Sequence, residues 1–256
     1  MSTPVHDPDA LFAPNVDRAG FVQGMFSSIA LRYDLMNTLM TGGRHHAWRR
    51  LAASELVRAG DTVIDVGCGT GDLSFACFDA GAARILGVDF ARPMLPLALE
   101  KAHTRGFGRK FGVAAGDGTQ LPLADQSVDA WCSAFVVRNI PDLDAALTEA
   151  WRVLKPGGRL AILEITKMKP GFWRPLARFH FTRIVPIAGR LISGHDSAYK
   201  YLPVSVDHFD TPEEFSARLA NAGFDVEIVR SLMLGTIALH VARKPDAPSG
   251  APSEGR

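Results

Sequence analysis

The chain has 256 residues, of which 47% are hydrophobic and 21% charged, the balance of a folded protein with one well-buried domain and not of a disordered one. Its formal net charge of +1 sets up no global field that would draw nucleic acid. It also contains no apolar run approaching the roughly eighteen residues a membrane span needs.

Three scattered cysteines, Cys68, Cys77 and Cys132, form no CxxC pair and no cluster with histidine at zinc spacing. Neither a disulfide framework nor a metal site is expected, and a reduced, cytoplasmic setting fits best.

Residues 1–17 carry Pro4, Pro8 and Pro14 among polar neighbours and read as a flexible tail; nothing there resembles a signal peptide. From Thr62 to Val66 a β-branched run ends in glycines, a strand by type. A helix is expected over Asp72 to Ala80, a strand over Arg84 to Val88, and a helix over Pro93 to Arg105, with proline near its start and Gly106 past its end. Strands follow at Phe111 to Ala115 and Val128 to Phe135, then a helix from Leu143 to Leu154 and a strand from Arg159 to Ile165. Thr211, before Pro212 and three residues ahead of Glu214, marks a capped helix running to Gly223. Two last strands, Asp225 to Arg230 and Thr236 to Ala242, are joined too tightly for a parallel crossover and should pair antiparallel. Residues 244–256 form a Pro/Gly/Ser tail with nothing to bury. The alternation predicts an α/β fold, a doubly wound, mostly parallel sheet of seven strands ending in an antiparallel hairpin, with the domain spanning 18–243.

The first strand runs into Asp65-Val66-Gly67-Cys68-Gly69-Thr70-Gly71 and opens a helix. Glycines let the backbone turn sharply and approach a ligand, and ligands of such sheets sit beyond the carboxyl ends of the strands. A dinucleotide turn reads G-x-G-x-x-G and offers a helix N-terminus to pyrophosphate. Here the spacing is G-x-G-x-G, and Asp65 would repel a phosphate but suit a cation. S-adenosyl-L-methionine carries an ammonium and no phosphate. Asp89, after the second strand, can accept hydrogen bonds from ribose hydroxyls, and Asp117, before Gly118 and after the third strand, can reach an adenine amino group.

With these residues the chain resembles the ubiquinone/menaquinone biosynthesis C-methyltransferase family, over roughly residues 20–243. Two stretches carry the likeness. One is Met25-Phe26-Ser27-Ser28-Ile29-Ala30-Leu31-Arg32-Tyr33-Asp34-Leu35-Met36-Asn37, continuing to His45 and Trp48-Arg49-Arg50; the other is Phe135-Val136-Val137-Arg138-Asn139-Ile140-Pro141. Leu154-Lys155-Pro156-Gly157-Gly158 is common to many methyltransferases. The resemblance implies a class I methyltransferase fold with cofactor contacts at Thr70, Asp89, Asp117 and Gly118. Two positions depart from the family: Ala134 stands where Ser or Gly is usual, so only a backbone contact is expected there, and Val136 where Gly is usual, narrowing the mouth of the site.

The implied reaction methylates a ring carbon of a prenylated quinol, demethylmenaquinol ahead of a methoxybenzoquinol. A phenolate pushes charge onto the adjacent carbon, which attacks the sulfonium methyl; the protein places the reactants and helps remove a proton, with no metal required. Arg138 is the expected polar group at the substrate, stabilising the phenolate or orienting a water, since a guanidinium is no simple base. Tyr33, Asp34 and Asn139, with Asn37, are expected around the ring. Adjacent His45 and His46 would point apart on a helix, which argues against a joint role.

From Ile165 to His195 no acidic residue occurs, while Lys167, Lys169, Arg174, Arg178, Arg183 and Arg190 interleave with Phe172, Trp173, Phe179 and Phe181. The segment 165–205 is expected as an amphipathic lid making peripheral contact with an anionic membrane and covering a polyprenyl tail. Nucleic acid is disfavoured because the remainder is not basic. A homodimer stays open as an assembly. The competing functions are another lipid or small-molecule methyltransferase, and a cofactor-binding protein without activity, against which intact Asp65, Asp89, Asp117 and Arg138 speak.

Overall fold

The computed structural model describes residues 8–13, 16–167 and 196–246. The body of the lid expected over 165–205 lies outside them, from 168 to 195.

The sheet has seven strands in the order β3-β2-β1-β4-β5-β7-β6. They are β1 (Thr62–Val66), β2 (Arg84–Asp89), β3 (Phe111–Ala115), β4 (Val128–Ala134), β5 (Leu154–Ile165), β6 (Asp225–Leu232) and β7 (Ile237–Arg243). β1 to β5 pair in parallel, whereas β7 runs antiparallel to both β5 and β6. This is the expected doubly wound sheet with a terminal hairpin, and the hairpin's second strand is the one inserted beside β5. β5 begins earlier than its apolar run, at Leu154, because Leu154 already pairs with Val128 and the Gly157 N–H donates to the Lys244 carbonyl.

Among the described residues, the helices are α1 (Arg18–Ile29), α2 (Tyr33–Thr41), α3 (Arg44–Leu56), α4 (Asp72–Asp79), α5 (Met94–Thr104), α6 (Leu143–Val153), α7 (Asp196–Asp207) and α8 (Pro212–Asn221). α8 starts on the anticipated capping box: the Glu214 N–H donates to Thr211 Oγ1, and the Thr211 N–H donates to Glu214 Oε2.

Two apolar layers cover the sheet. Residues of β1 alternate between them by the strand's period of two. Val63 joins Leu56, Phe75 and Phe111, while Ile64 and Val66 join Trp131, Leu147 and Phe215. Asp65 occupies the same face as Val63 and is therefore a carboxylate at a core position, 1% exposed.

The tail expectation for 1–17 requires a correction. Pro8–Phe12 forms a 3-10 turn, and Leu11 is buried in a cluster with Met25 and Tyr201. At the other end Lys244 is tied down as well, donating from Nζ to the carbonyls of Trp151 and Leu154 at 2.7 Å each.

Candidate active site

β1 neighbours β2 on one side and β4 on the other, so the sheet order reverses beyond its carboxyl end. There the glycine turn folds back on β2: the N–H groups of Gly67 and Cys68 donate to the Val88 carbonyl, and the Gly69 N–H donates to Asp89 Oδ2 at 2.7 Å. Gly67 has φ +72°, and a Cβ built on it would collide with both methyls of Val136. Only glycine satisfies both the backbone and the space there. Val136, the residue departing from the family, thus forms one wall of the turn.

An open cavity of about 820 Å³ lies over this turn. Its lining includes Gly67 and Gly69, Asp89, Asp117 and Gly118, Asn139, and Val22, Gln23 and Phe26 from α1. Asp89 accepts a second backbone bond from Ala91 at 2.7 Å, yet burial still pushes its carboxyl above the ordinary value. Each carboxylate oxygen retains a lone pair for a ligand. Asp117 is exposed, with Oδ1 accepting from the Thr119 N–H at 2.9 Å.

A smaller recess of about 280 Å³ lies on the other side of the turn, lined by Arg49, Asp65, Gly67, Thr70, Asp72 and Ala134 among others. Asp65 Oδ2 accepts from Ser74 Oγ at 2.6 Å, while its Oδ1 is buried without a partner. Burial lifts the Asp65 carboxyl to about 6, against the opposing bond from Ser74.

The second large cavity, about 900 Å³, is apolar. α2 supplies Tyr33, Met36, Asn37, Met40 and Thr41 to it, successive positions of one helical face. Phe135, Ile165, Tyr201, Leu202, Met233 and Ile237 complete much of the wall, and Arg138 is its cation. Arg138 is held rigidly: Nη1 donates to Glu164 Oε1 at 2.5 Å, Nε to Ser205 Oγ at 3.2 Å, and Nη1 also to the Phe135 carbonyl at 3.3 Å. Burial pushes the Glu164 carboxyl up, and Arg138 pulls it back in part.

Phe26, Tyr33 and Phe135 border both large cavities. Phe135 has φ +64°, a left-handed conformation costly for an aromatic residue, and the Arg138 contact helps to hold it there. Burial raises the Tyr33 hydroxyl, with Arg49 opposing.

The expected residues thus separate. Tyr33 and Arg138 meet at the apolar cavity, together with Asn37. Asn139 instead faces the cofactor-side cavity, and its side-chain nitrogen and oxygen are both buried without partners. Asp34 is absent from the lining of the apolar cavity: it accepts from Thr70 Oγ1 at 2.6 Å and from Lys101 Nζ at 2.8 Å, so it orders the glycine turn's flank. Asp65, Gly67, Thr70, Asp89, Asp117, Gly118 and Ala134 all border the two recesses around the turn. His45 and His46 do not point apart; their ring centroids are 3.9 Å apart at the start of α3. With Asp72 they bring three ligand atoms within 4.8 Å, but Arg49 donates to His45 and Lys101 to Asp72, and two cations oppose a third. Sequence reasoning missed Glu164 and Phe135. A lone carboxylate inside the apolar run Leu160-Ala161-Ile162-Leu163-Glu164-Ile165 was the available signal for the first.

The chain matches the ubiE/COQ5 methyltransferase family over residues 15–244. It belongs to that family. A demethylmenaquinone methyltransferase of Thermus thermophilus is 43% identical, aligned over 86% of this chain and 100% of that protein. A ubiquinone/menaquinone biosynthesis C-methyltransferase of Dinoroseobacter shibae is 36% identical over 88% of this chain and 90% of its own length. Among solved structures, a SAM-dependent methyltransferase from Aquifex aeolicus shares the fold, with a TM-score of 0.52 and 22% identity over 73% of this chain and 84% of that one. The glycine turn, the orphaned Asp65 oxygen and the unpartnered Asn139 amide all border the recesses at the carboxyl end of β1.

Proposed function

We propose that the protein transfers the methyl group of S-adenosyl-L-methionine to a ring carbon of a polyprenyl quinol, converting demethylmenaquinol to menaquinol. The observation that carries this reading is the pair of large cavities, one over the glycine turn and one apolar, meeting at Phe26, Tyr33 and Phe135. The names of the relatives support it; that of the Dinoroseobacter protein also favours a second acceptor, a polyprenyl methoxybenzoquinol.

Asp89 would hold the ribose hydroxyls, Asp117 with Gly118 the adenine, and Asp65 the ammonium. When bound, the cofactor supplies an electrophilic sulfonium methyl. Across the wall, the apolar lining excludes water from the quinol ring and accommodates the prenyl chain. With Nε and Nη1 of Arg138 committed, its Nη2 is the donor for a ring oxyanion, and the anchored guanidinium needs no reorganisation to stabilise that charge. Phe135, fixed in its left-handed turn, keeps ring and donor in register.

Access from a membrane is part of this reading. The face of α2 opposite the cavity carries exposed Leu35 and Leu39, and exposed Leu31 precedes them by one turn, giving a leucine stripe on the outer side of the helix that walls the apolar cavity. No helix among the described residues is long and apolar enough to cross a membrane.

The test is incubation with S-adenosylmethionine and each reduced acceptor in detergent micelles, read by mass spectrometry. A methylated naphthoquinol is the expected product. Methylation of the benzoquinol alone would move the acceptor to the second reading, and no methylation of either would overturn both.

A further inference from the structure

Arg49 is 4% exposed on α3, and among the described residues it takes part in no ion pair. A buried guanidinium with no carboxylate within ion-pairing distance is costly, because its hydration is lost and only the more distant carboxylates of Asp65 and Asp72 act on it. Its hydrogen bond is to a neutral acceptor: Nη1 donates to His45 Nδ1. Its Cζ lies over the Phe135 ring, 5.1 Å from the centroid. Arg49 also lines the small recess that holds Asp65, Gly67 and Thr70, and its remaining N–H groups have no hydrogen-bond partner among the described residues.

The recess is therefore dipolar. On one side Asp65 presents a buried oxygen with no partner; on the other stands Arg49. The nearby cation Lys101 is already committed, with Nζ 2.8 Å from Asp34 and 2.8 Å from Asp72. A buried anionic acceptor and a buried cationic donor lining one recess match in charge the two ends of an α-amino acid zwitterion. His45 supports the arrangement. Its own protonation is suppressed to about 4 by burial and by Arg49, so Nδ1 stays an acceptor that holds the guanidinium in place.

We propose that Arg49 binds the α-carboxylate of the methyl donor's methionine moiety, opposite the ammonium held by Asp65, with His45 as the residue that positions Arg49. The proposal rests on S-adenosylmethionine being the cofactor. It makes α3, outside the glycine turn and the strand ends, part of the cofactor site. It also ties that site to Phe135, in the wall of the acceptor cavity, through the cation–π contact.

Calorimetric titration with three probes tests it without reference to turnover. S-adenosylhomocysteine carries both ends of the zwitterion. Its decarboxylated analogue keeps the ammonium alone, and 5′-methylthioadenosine has neither. The wild-type protein should prefer S-adenosylhomocysteine to the decarboxylated analogue by about 10- to 100-fold, the worth of a charge-assisted bidentate contact. Arg49→Gln should remove that preference and leave methylthioadenosine binding unchanged, while Arg49→Lys should restore part of it. An equal loss for all three probes in Arg49→Gln would assign Arg49 a structural role and overturn the proposal, as would undiminished binding of S-adenosylhomocysteine. Should Arg49→Gln not fold, an absence of preference in the wild-type protein overturns it alone. A wild-type protein that binds none of the adenosyl probes would instead remove the cofactor reading on which this rests.

Discussion

Arg138 and Glu164 form an ion pair sealed inside the protein, Nη1 to Oε1 at 2.5 Å, with the two side chains 5% and 1% exposed. Glu164 lies near the carboxyl end of β5, and Arg138 in the 3-10 turn after β4, so the pair fastens adjacent strand ends at the acceptor cavity. Removing one member leaves an uncompensated buried charge. Glu164→Ala should lower stability by about 3–5 kcal/mol in urea denaturation. Arg138→Ala should abolish methyl transfer with S-adenosylhomocysteine affinity near wild type, since Arg138 lines the apolar cavity and not the cofactor recesses. Loss of that affinity in calorimetry would show the assigned role to be wrong.

Asp65 makes stability depend on pH. Burial raises its folded-state value from 3.8 to about 6. Between those limits the folded protein holds a proton that the unfolded chain has released, so the contribution is complete below the lower value and lost as pH rises through 6. The loss is about 3 kcal/mol at most. Asp65→Asn should remove this step, leaving the ligand-free protein more stable than wild type at pH 8 and closer to it at pH 4. The same substitution should weaken S-adenosylhomocysteine binding at pH 8 and erase the decline in affinity expected of the wild type below pH 6. Parallel pH curves for the two proteins would contradict this.

Gly67→Ala combines two penalties, a side chain at φ +72° and a collision with the Val136 methyls. The expected destabilisation is about 2–4 kcal/mol. Adding Val136→Ala should recover only the packing part. Full recovery in thermal melts would mean that backbone strain contributes nothing.

The leucine stripe gives a partition experiment. Leu31, Leu35 and Leu39 are 88%, 53% and 51% exposed. Replacing all three with Ser should reduce binding to neutral phosphatidylcholine vesicles by about tenfold or more, given the apolar area withdrawn from water. Sedimentation equal to wild type would place membrane contact elsewhere on the molecule.

Much of the fold was readable because it follows from local rules. β-branched runs gave the strands, Thr211 with Pro212 and Glu214 gave the start of α8, and the tight link before β7 gave the antiparallel hairpin. The extent of β5 was not readable, since Lys155-Pro156-Gly157-Gly158 looks like a turn until the Lys244 carbonyl is seen accepting from Gly157. The turn at 8–12 has a similar origin: Leu11 is buried only because Met25 and Tyr201 come to meet it.

The chemistry on offer was set along the chain: a glycine turn, an acidic residue at or near the end of each of three strands, and Arg138 beside Asn139. Their relative placement came from the tertiary structure. Asp34, next to Tyr33 in the chain, is drawn to Lys101 and Thr70, while Tyr33 borders the cavities. Arg138 and Asn139, also neighbours, serve different cavities because the 3-10 turn after β4 sends them apart. Glu164 finds Arg138, and Arg49 is brought beside Asp65 without an ion pair, through strand and helix packing that no local pattern encodes. Charge and spacing are properties of the chain, but which charges meet, and which are left for a ligand, depends on burial, and burial exists only once the layers have closed.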